Sequence, residues 1–400
     1  MATIDTSHFE LPAFYLGTPD DVFRELRETD PLHWYDEGRF WVATTYDDIK
    51  FISSRPDLFP SSRVSILSDL MDLRAGRVSP MMGQRGVKFL DPPEHTAHRK
   101  AVAVNFTPKA VQEMEGLVRS VVADVLDDLP DSEFDWIERV AEPIPVYVFA
   151  RLLGVPEADW PKVSRWATTI ANAGSGQASD EDMDVIFNEV GPFLQDLLDQ
   201  RRAHPSDDLL TFLTKVEVDD VPLNDVQVHS WAITLLAAGS ETTQSLIAGM
   251  AACLDRFPEQ AADLTAHPDL AAGAVEETLR WWTPVLSMAR QASTDVELRG
   301  TTIRAGDGVL LAYQSGNRDA DKWGPTADDY DIRRPDASNH LGFGFGAHFC
   351  LGAHLARREG RALLDELARR GLRIELVGEG EPRRSSLVRT YDSLPVRLVG

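Results

Sequence analysis

The stretch Leu223–Phe257 constrains this chain more than any other. Its 35 residues contain no proline, so they can form one helix. Such a helix would be roughly 50 Å long and would cross a whole domain. Asn224 is placed to cap its start and Pro258 to stop it. Helical periodicity also marks the region before it: Val111, Met114, Leu117, Val118, Val121 and Val122 recur at that spacing, as do Val125 and Leu126. Further helices are predicted over Ile137–Leu153, Trp160–Ala173, Asp182–Ala203, Asp207–Leu213, Leu270–Trp282 and Cys350–Arg370. Strand signals are few and short. Arg39–Thr44 is rich in aromatic and β-branched residues, Val296–Arg304 reads as short strands, and the tail holds others. Tyr46–Ser54 reads as a short helix, and Asn317–Asn339 as a loop-rich meander. The reading is a mainly α fold with small β-sheets (α+β).

Length alone would allow two or three domains among 400 residues. No Ser/Gly-rich linker divides the chain and no internal repeat is visible, so residues 1–400 read as one domain. Ser61–Phe89 is a long irregular stretch with Gly76, Pro80, Gly83 and Gly86, of the kind that usually serves function.

The net charge of −24 argues against binding nucleic acid, whose phosphates such a surface repels. The first residues lack a basic segment followed by an apolar one, and no apolar run approaches the ~20 residues that span a bilayer. A cytoplasmic protein without membrane attachment is expected. With two cysteines, Cys253 and Cys350, a disulfide scaffold is excluded, as is an iron–sulfur cluster held by four cysteines of this chain. Cys253 lies in an apolar run and reads as a small buried hydrophobe.

Cys350 is different. It stands in Phe343-Gly344-Phe345-Gly346-Ala347-His348-Phe349-Cys350-Leu351-Gly352, a glycine-rich loop that leads into a helix. At a helix N-terminus the dipole and free N–H groups stabilise a thiolate, which suits a soft anionic ligand for iron. A loose dinucleotide-binding pattern, Gly342-x-Gly344-x-x-Ala347, overlaps the loop. It should follow a strand, but a polar turn sequence precedes it.

The ten residues match, position by position, the haem-binding signature of the cytochrome P-450 family, which the chain resembles over nearly its whole length. The resemblance implies a long central helix over a buried haem (haem b) and Cys350 as the axial ligand of its iron. Ala238-Gly239-Ser240-Glu241-Thr242-Thr243 looks like the family's oxygen-activation motif. A mid-helix glycine and threonine hydroxyls bonded to preceding carbonyls should loosen the ladder there, opening room for dioxygen. Glu241 and Thr242 would form an acid–alcohol pair that relays protons. His95 and Arg99 share a helix face, and by resemblance they hold the haem propionates together with Arg290 and His348. Glu277 and Arg280 resemble the family's buried structural pair, closed by an arginine of the meander, Arg334 or Arg333.

The activity so implied is monooxygenation: one oxygen atom of O2 enters a hydrophobic small molecule of terpenoid, steroid, polyketide or fatty acyl type. The chain lacks a flavin or iron–sulfur domain, so a separate ferredoxin and its reductase would supply electrons to a monomer. Arg99, Lys100, Arg357, Arg358 and Arg361 are candidates for the docking face. A peroxide-using peroxygenase and a non-catalytic haem protein are the alternatives, and neither needs the Glu241–Thr242 pair. The pocket is expected from the 61–90 loop, Ala171–Asp182, Leu235, Leu236, Gly239, Val285–Met288 and Leu387-Val388, with Met71, Met81 and Met82 as adaptable surface. Arg63, Arg74, Arg77 and Arg85 could meet a substrate carboxylate, though solvated side chains are the simpler reading.

Overall fold

The computed structural model describes residues 8–17, 19–77, 87–174 and 179–400. The long helix forms as Asp225–Arg256, 32 residues without a break. Its start is capped in both directions: the Asn224 side chain accepts from the Gln227 N–H, and the Gln227 side chain accepts from the Asn224 N–H, each at 3.0 Å. Pro258 does not only stop it. The chain turns at Phe257, and Pro258 opens the next helix, Pro258–Ala266.

Side chains from many elements cover this helix. Leu246, Ile247 and Met250 join one core with Trp136, Val118 and Leu363. The Trp136 indole N–H donates to the Ile247 carbonyl at 3.3 Å. Gly249 leaves room for the Trp282 ring, which any larger residue there would strike. A smaller core packs the N-terminal strands against Val309 and Leu311.

A four-stranded sheet orders Leu32–Tyr35, Phe40–Ala43, Gly308–Leu311 and Met288–Gln291. The second and third strands pair in parallel, Phe40 opposite Gly308, and the other pairs are antiparallel. This sheet carries Met288 and Arg290 beside the cavity described below. Val296–Leu298 and Thr301–Ile303 form the expected hairpin. In the tail Arg373–Leu376 pairs with Pro395–Val399, which pairs in turn with Phe134–Asp135.

Three predicted boundaries are corrected. The helix after the cysteine begins at Ala353, not Cys350, because Gly352 is its N-cap. Within the supposedly irregular 61–89 stretch, Leu67–Arg74 is helical, with the buried Asp69 side chain closing back on its first turn. The predicted helices Ile137–Leu153 and Asp182–Ala203 each contain a wide π turn, at Ile137–Ala141 and Ile186–Val190. In each case the α-helical part that follows holds a proline in its first turn, Pro143 or Pro192. A proline has no N–H to continue the ladder, so the register resets there.

Candidate functional site

One cavity of about 320 Å³ lies between the central helix, the glycine loop and the Met288–Gln291 strand. That volume is within the range of small-molecule sites. Its floor is the loop Gly342–Gly352. Gly344 and Gly346 adopt left-handed φ angles of 70° and 75°, which strain other residues. A side chain at Gly346 would also collide with the Ser53 carbonyl. The Cys350 N–H donates to the Phe343 carbonyl at 2.8 Å, closing the loop. Arg357 stacks over the Phe343 ring at 4.6 Å and locks it from the following helix.

Cys350 therefore sits two residues before the helix cap, in the loop rather than on the helix. Burial pushes its thiol pKa up, while the Gly352 backbone N–H, Arg99 and Arg357 favour the thiolate. A partly buried sulfur so surrounded suits a role as a metal-bound thiolate.

Opposite stands the central helix, with Leu235, Gly239, Thr242 and Thr243 lining the cavity. A side chain at Gly239 would run into the Phe149 ring, so this glycine allows close helix packing. The predicted loosening of the helix is absent: the ladder runs through unbroken. The Thr242 hydroxyl donates to the Ala238 carbonyl at 2.6 Å, and Ser240 to Leu236 at 2.7 Å. These bonds follow the helix groove and leave the backbone ladder intact. Glu241 and Thr242 are not brought together in the cavity. Neighbours on a helix point about 100° apart, so Glu241 faces a separate cleft with Glu142, Gln244 and Arg383. There it pairs with Arg383 at 3.4 Å, and burial raises its pKa despite that partner.

The four predicted propionate partners do converge. His95, Arg99, Arg290 and His348 all line the cavity. The rings of His95 and His348 lie 4.0 Å apart, centre to centre. Among the described residues, His95 Nδ1 and His348 Nε2 are buried without a hydrogen-bond partner, and neither arginine meets a carboxylate at ion-pair distance. The Asp91 carboxylate is engaged by the Ser61 and Ser62 N–H groups. Burial, then Arg290, His95 and Arg99, drive the His348 pKa down to about 3. Two arginines without a carboxylate partner and two imidazoles each with an orphaned ring nitrogen are complementary to a dianion such as the two propionates of a haem. The donor set thus fits that group: a thiol on one wall, cations along one edge, an apolar chamber opposite.

The meander arginine is Arg334, whose Nε reaches Glu277 at 3.2 Å, whereas Arg333 pairs with Asp263 on the surface. Glu277 and Arg280 are wholly buried and serve structure. Of the expected pocket residues, Leu235, Gly239, Val285 and Met288 line the cavity, while Leu236, Leu387 and Val388 do not. Met71 packs on the N-terminal core. Met81, Met82, Arg85 and the side chain of Ala171 fall outside the described residues, and Arg63, Arg74 and Arg77 are exposed.

Sequence reasoning missed Glu359. It is wholly buried, lines the cavity and has both carboxyl oxygens unpartnered among the described residues. Burial raises its pKa well above the ordinary carboxylate value. The signal was its spacing: Leu355, Glu359 and Leu363 follow at i, i+4 and i+8 on one apolar face. Arg383 was missed too, because its partner Glu241 lies 142 positions away.

Comparison with known proteins agrees with this geometry. Residues 177–370 match the family model described as Cytochrome P450. The chain is 35% identical to the methyl-branched lipid omega-hydroxylase of Mycobacterium bovis, over 99% of this chain and 95% of that one. It is also 35% identical to the vitamin D(3) 25-hydroxylase of Pseudonocardia autotrophica, over 95% and 94%. Among solved structures, cytochrome P450-153 from Novosphingobium aromaticivorans superposes with a TM-score of 0.87 at 30% identity, covering 98% of this chain and 99% of that one.

Proposed function

Because this chain belongs to the cytochrome P450 family, a group of haem-iron monooxygenases, we propose that Cys350 supplies the thiolate that holds the iron. The enzyme inserts one oxygen atom from O2 into a hydrophobic small molecule, by hydroxylation or epoxidation. When bound, haem supplies the binding and cleavage of dioxygen and the transfer of oxygen to a C–H bond or alkene.

The chain's own residues do the rest. Arg99, Arg290, His95 and His348 hold the two propionates of a haem b and fix its orientation, which gives the orphaned ring nitrogens and the two guanidinium groups their partners. Leu235, Val285 and Met288 hold the substrate and exclude water from the chamber. The Thr242 hydroxyl, at the cavity wall, delivers protons to the oxygen site. Glu241 stands behind it on the next turn face, in contact with Arg383. Burial raises its pKa, which favours its taking up a proton, and rotation away from Arg383 lets it pass that proton on. Proton delivery of this kind supports oxygen with external electrons over peroxide use.

The electrons come from a ferredoxin-type donor that docks on the cysteine side. Arg357, Arg358 and Arg361 share a groove there with His354 and Pro108. Arg99 is turned inward to the cavity and does not join them. No helix of the described residues is long and apolar enough to cross a membrane. We read residues 1–400 as one domain acting as a cytoplasmic monomer.

The single observation that carries the reading is the meeting of Cys350, Thr242, two arginines and two histidines at one apolar cavity. The test is the carbon-monoxide spectrum of the reduced, haem-loaded protein. Thiolate ligation gives a strongly red-shifted Soret band, and Cys350→Ser abolishes it while the protein stays folded. A shifted band that survives the substitution would place the ligand elsewhere.

A further inference from the structure

The carboxylate of Glu276 lies behind the Cys350 loop, outside the cavity. Adjacent helix positions point about 100° apart, so Glu277 turns to the meander while Glu276 meets the Ala353–Arg370 helix. Arg357 of that helix grips it with two bonds, Nε to Oε1 at 2.5 Å and Nη2 to Oε2 at 3.0 Å. The His340 side chain is 1% exposed, and its Nε2 lies 3.3 Å from the same Oε2. Its Nδ1 accepts from the Gly342 N–H at 2.9 Å and so carries no proton. Burial lowers the pKa of the ring, which favours the neutral form, with its proton on Nε2 toward the carboxylate.

These two partners of Glu276 enclose one ring. The His340 ring centre lies 5.3 Å, and the Arg357 guanidinium 4.6 Å, from the centre of the Phe343 ring. The Phe343 carbonyl in turn accepts the Cys350 N–H at 2.8 Å. Glu276 thus clasps the base of the loop from behind. It also fixes a charge. Arg357 and Arg99 are the two cations that favour the Cys350 thiolate. Among the described residues, Glu276 is the one carboxylate at ion-pair distance from Arg357.

We propose that Glu276 is a positioning residue for electron uptake: it holds and balances the Arg357 charge beside Cys350, and so sets the reduction potential of an iron bound there. This rests on reading Cys350 as the ligand of a haem iron. One electron from the donor takes iron(III) to iron(II) and adds one negative charge to the site. A cation nearby favours that charge and an anion opposes it. In the intact pair the two fields largely cancel, so Arg357 steadies the loop without drawing much electron density from the thiolate. Unbalancing the pair moves the potential, and the direction follows the charge that remains.

The test is a spectroelectrochemical titration of the haem-loaded protein at pH 8, with the carbon-monoxide spectrum as a second reading. Glu276→Gln leaves Arg357 unbalanced and raises the potential, favouring the reduced form on the order of tenfold, the size of one uncancelled charge at a partly buried site. Arg357→Met leaves Glu276 unbalanced and lowers the potential by a similar factor. The double variant returns to within about threefold of wild type. A merely structural clasp would move both single variants the same way and the double variant at least as far. That outcome, or single variants that both stay within about twofold of wild type, overturns the proposal. If Glu276→Gln does not retain haem, Arg357→Met and Arg357→Lys decide alone: lysine keeps the charge and the potential, methionine lowers it, and equal shifts overturn the proposal. Failure of the underlying reading looks different. A wild-type protein without the red-shifted carbon-monoxide band has no thiolate on its iron, whatever its potential, and both readings fall.

Discussion

Arg280→Met tests whether the buried cluster that braces the cysteine side is structural, as the geometry indicates. The Arg280 and Glu277 side chains are both 0% exposed. Two bonds join them, Nε to Oε2 at 2.8 Å and Nη2 to Oε1 at 2.7 Å. The same guanidinium donates to the carbonyls of Asn317, Ala327 and Asp329 at 2.8, 2.7 and 2.6 Å. It thereby ties the Ala271–Trp281 helix to the meander that leads into the glycine loop. Methionine keeps most of the stem's volume and removes every donor. Stranding one partner of a buried ion pair costs about 3–5 kcal/mol. Two features of this site adjust that figure. Arg334 at 3.2 Å and the Asp331 N–H at 2.9 Å still hold Glu277, which favours the lower end. Two carbonyls, those of Asn317 and Ala327, lose this donor, at about 1 kcal/mol each; Asp329 keeps one from Arg334 at 3.1 Å. The expected loss is about 4–5 kcal/mol, a large share of the 5–15 kcal/mol typical of folded proteins. Guanidinium unfolding of the haem-loaded protein, followed by far-ultraviolet circular dichroism and by haem release, measures it. Adding Glu277→Gln should restore about 1–2 kcal/mol, because the stranded charge is gone. Arg333→Ala, on the exposed pair with Asp263, should change far less than Arg334→Ala. A loss below about 1 kcal/mol for Arg280→Met, or strict additivity with Glu277→Gln, would refute the reasoning.

Thr242→Ala should leave substrate binding intact and uncouple oxygen consumption from product, measured as peroxide released per oxygen used. Unchanged coupling would remove Thr242 from proton delivery. Acid stability follows from Glu276. Burial would raise its pKa, but His340 and Arg357 outweigh that and hold it at about 2. Its folded pKa is therefore below the unfolded one, so its stabilisation is full above about pH 5 and is lost as pH falls toward 2. Denaturant midpoints over that window should fall more steeply for wild type than for Glu276→Gln, and parallel curves would contradict the assignment.

Much of the candidate site could be read from the sequence, because its residues are tied to local backbone needs. The glycines around Cys350 serve left-handed turns and close approaches at Gly344 and Gly346. His95 and Arg99 share a helix face by their spacing alone. The central helix, too, follows from local signals: an Asn224 cap, no internal proline and Pro258 after its end. Even the buried cluster was half visible, since Glu277 and Arg280 are one turn apart.

Tertiary structure decided what spacing cannot encode. Arg334 rather than Arg333 closes on Glu277 because the meander turns one side chain inward and the other toward Asp263. Glu241 faces Arg383 rather than the cavity, since adjacent helix positions diverge and the partner comes from the distant tail. Gly239 serves packing rather than an opening of the helix, because the Phe149 ring fills the space that a side chain there would need. Glu359 gains its meaning only from its surroundings: it is a charge type placed inside an apolar core. Backbone geometry and helix periodicity are short-range and leave their mark on neighbouring residues. Burial and electrostatic environment are sums over residues far apart in the chain, and only the folded packing brings those residues together.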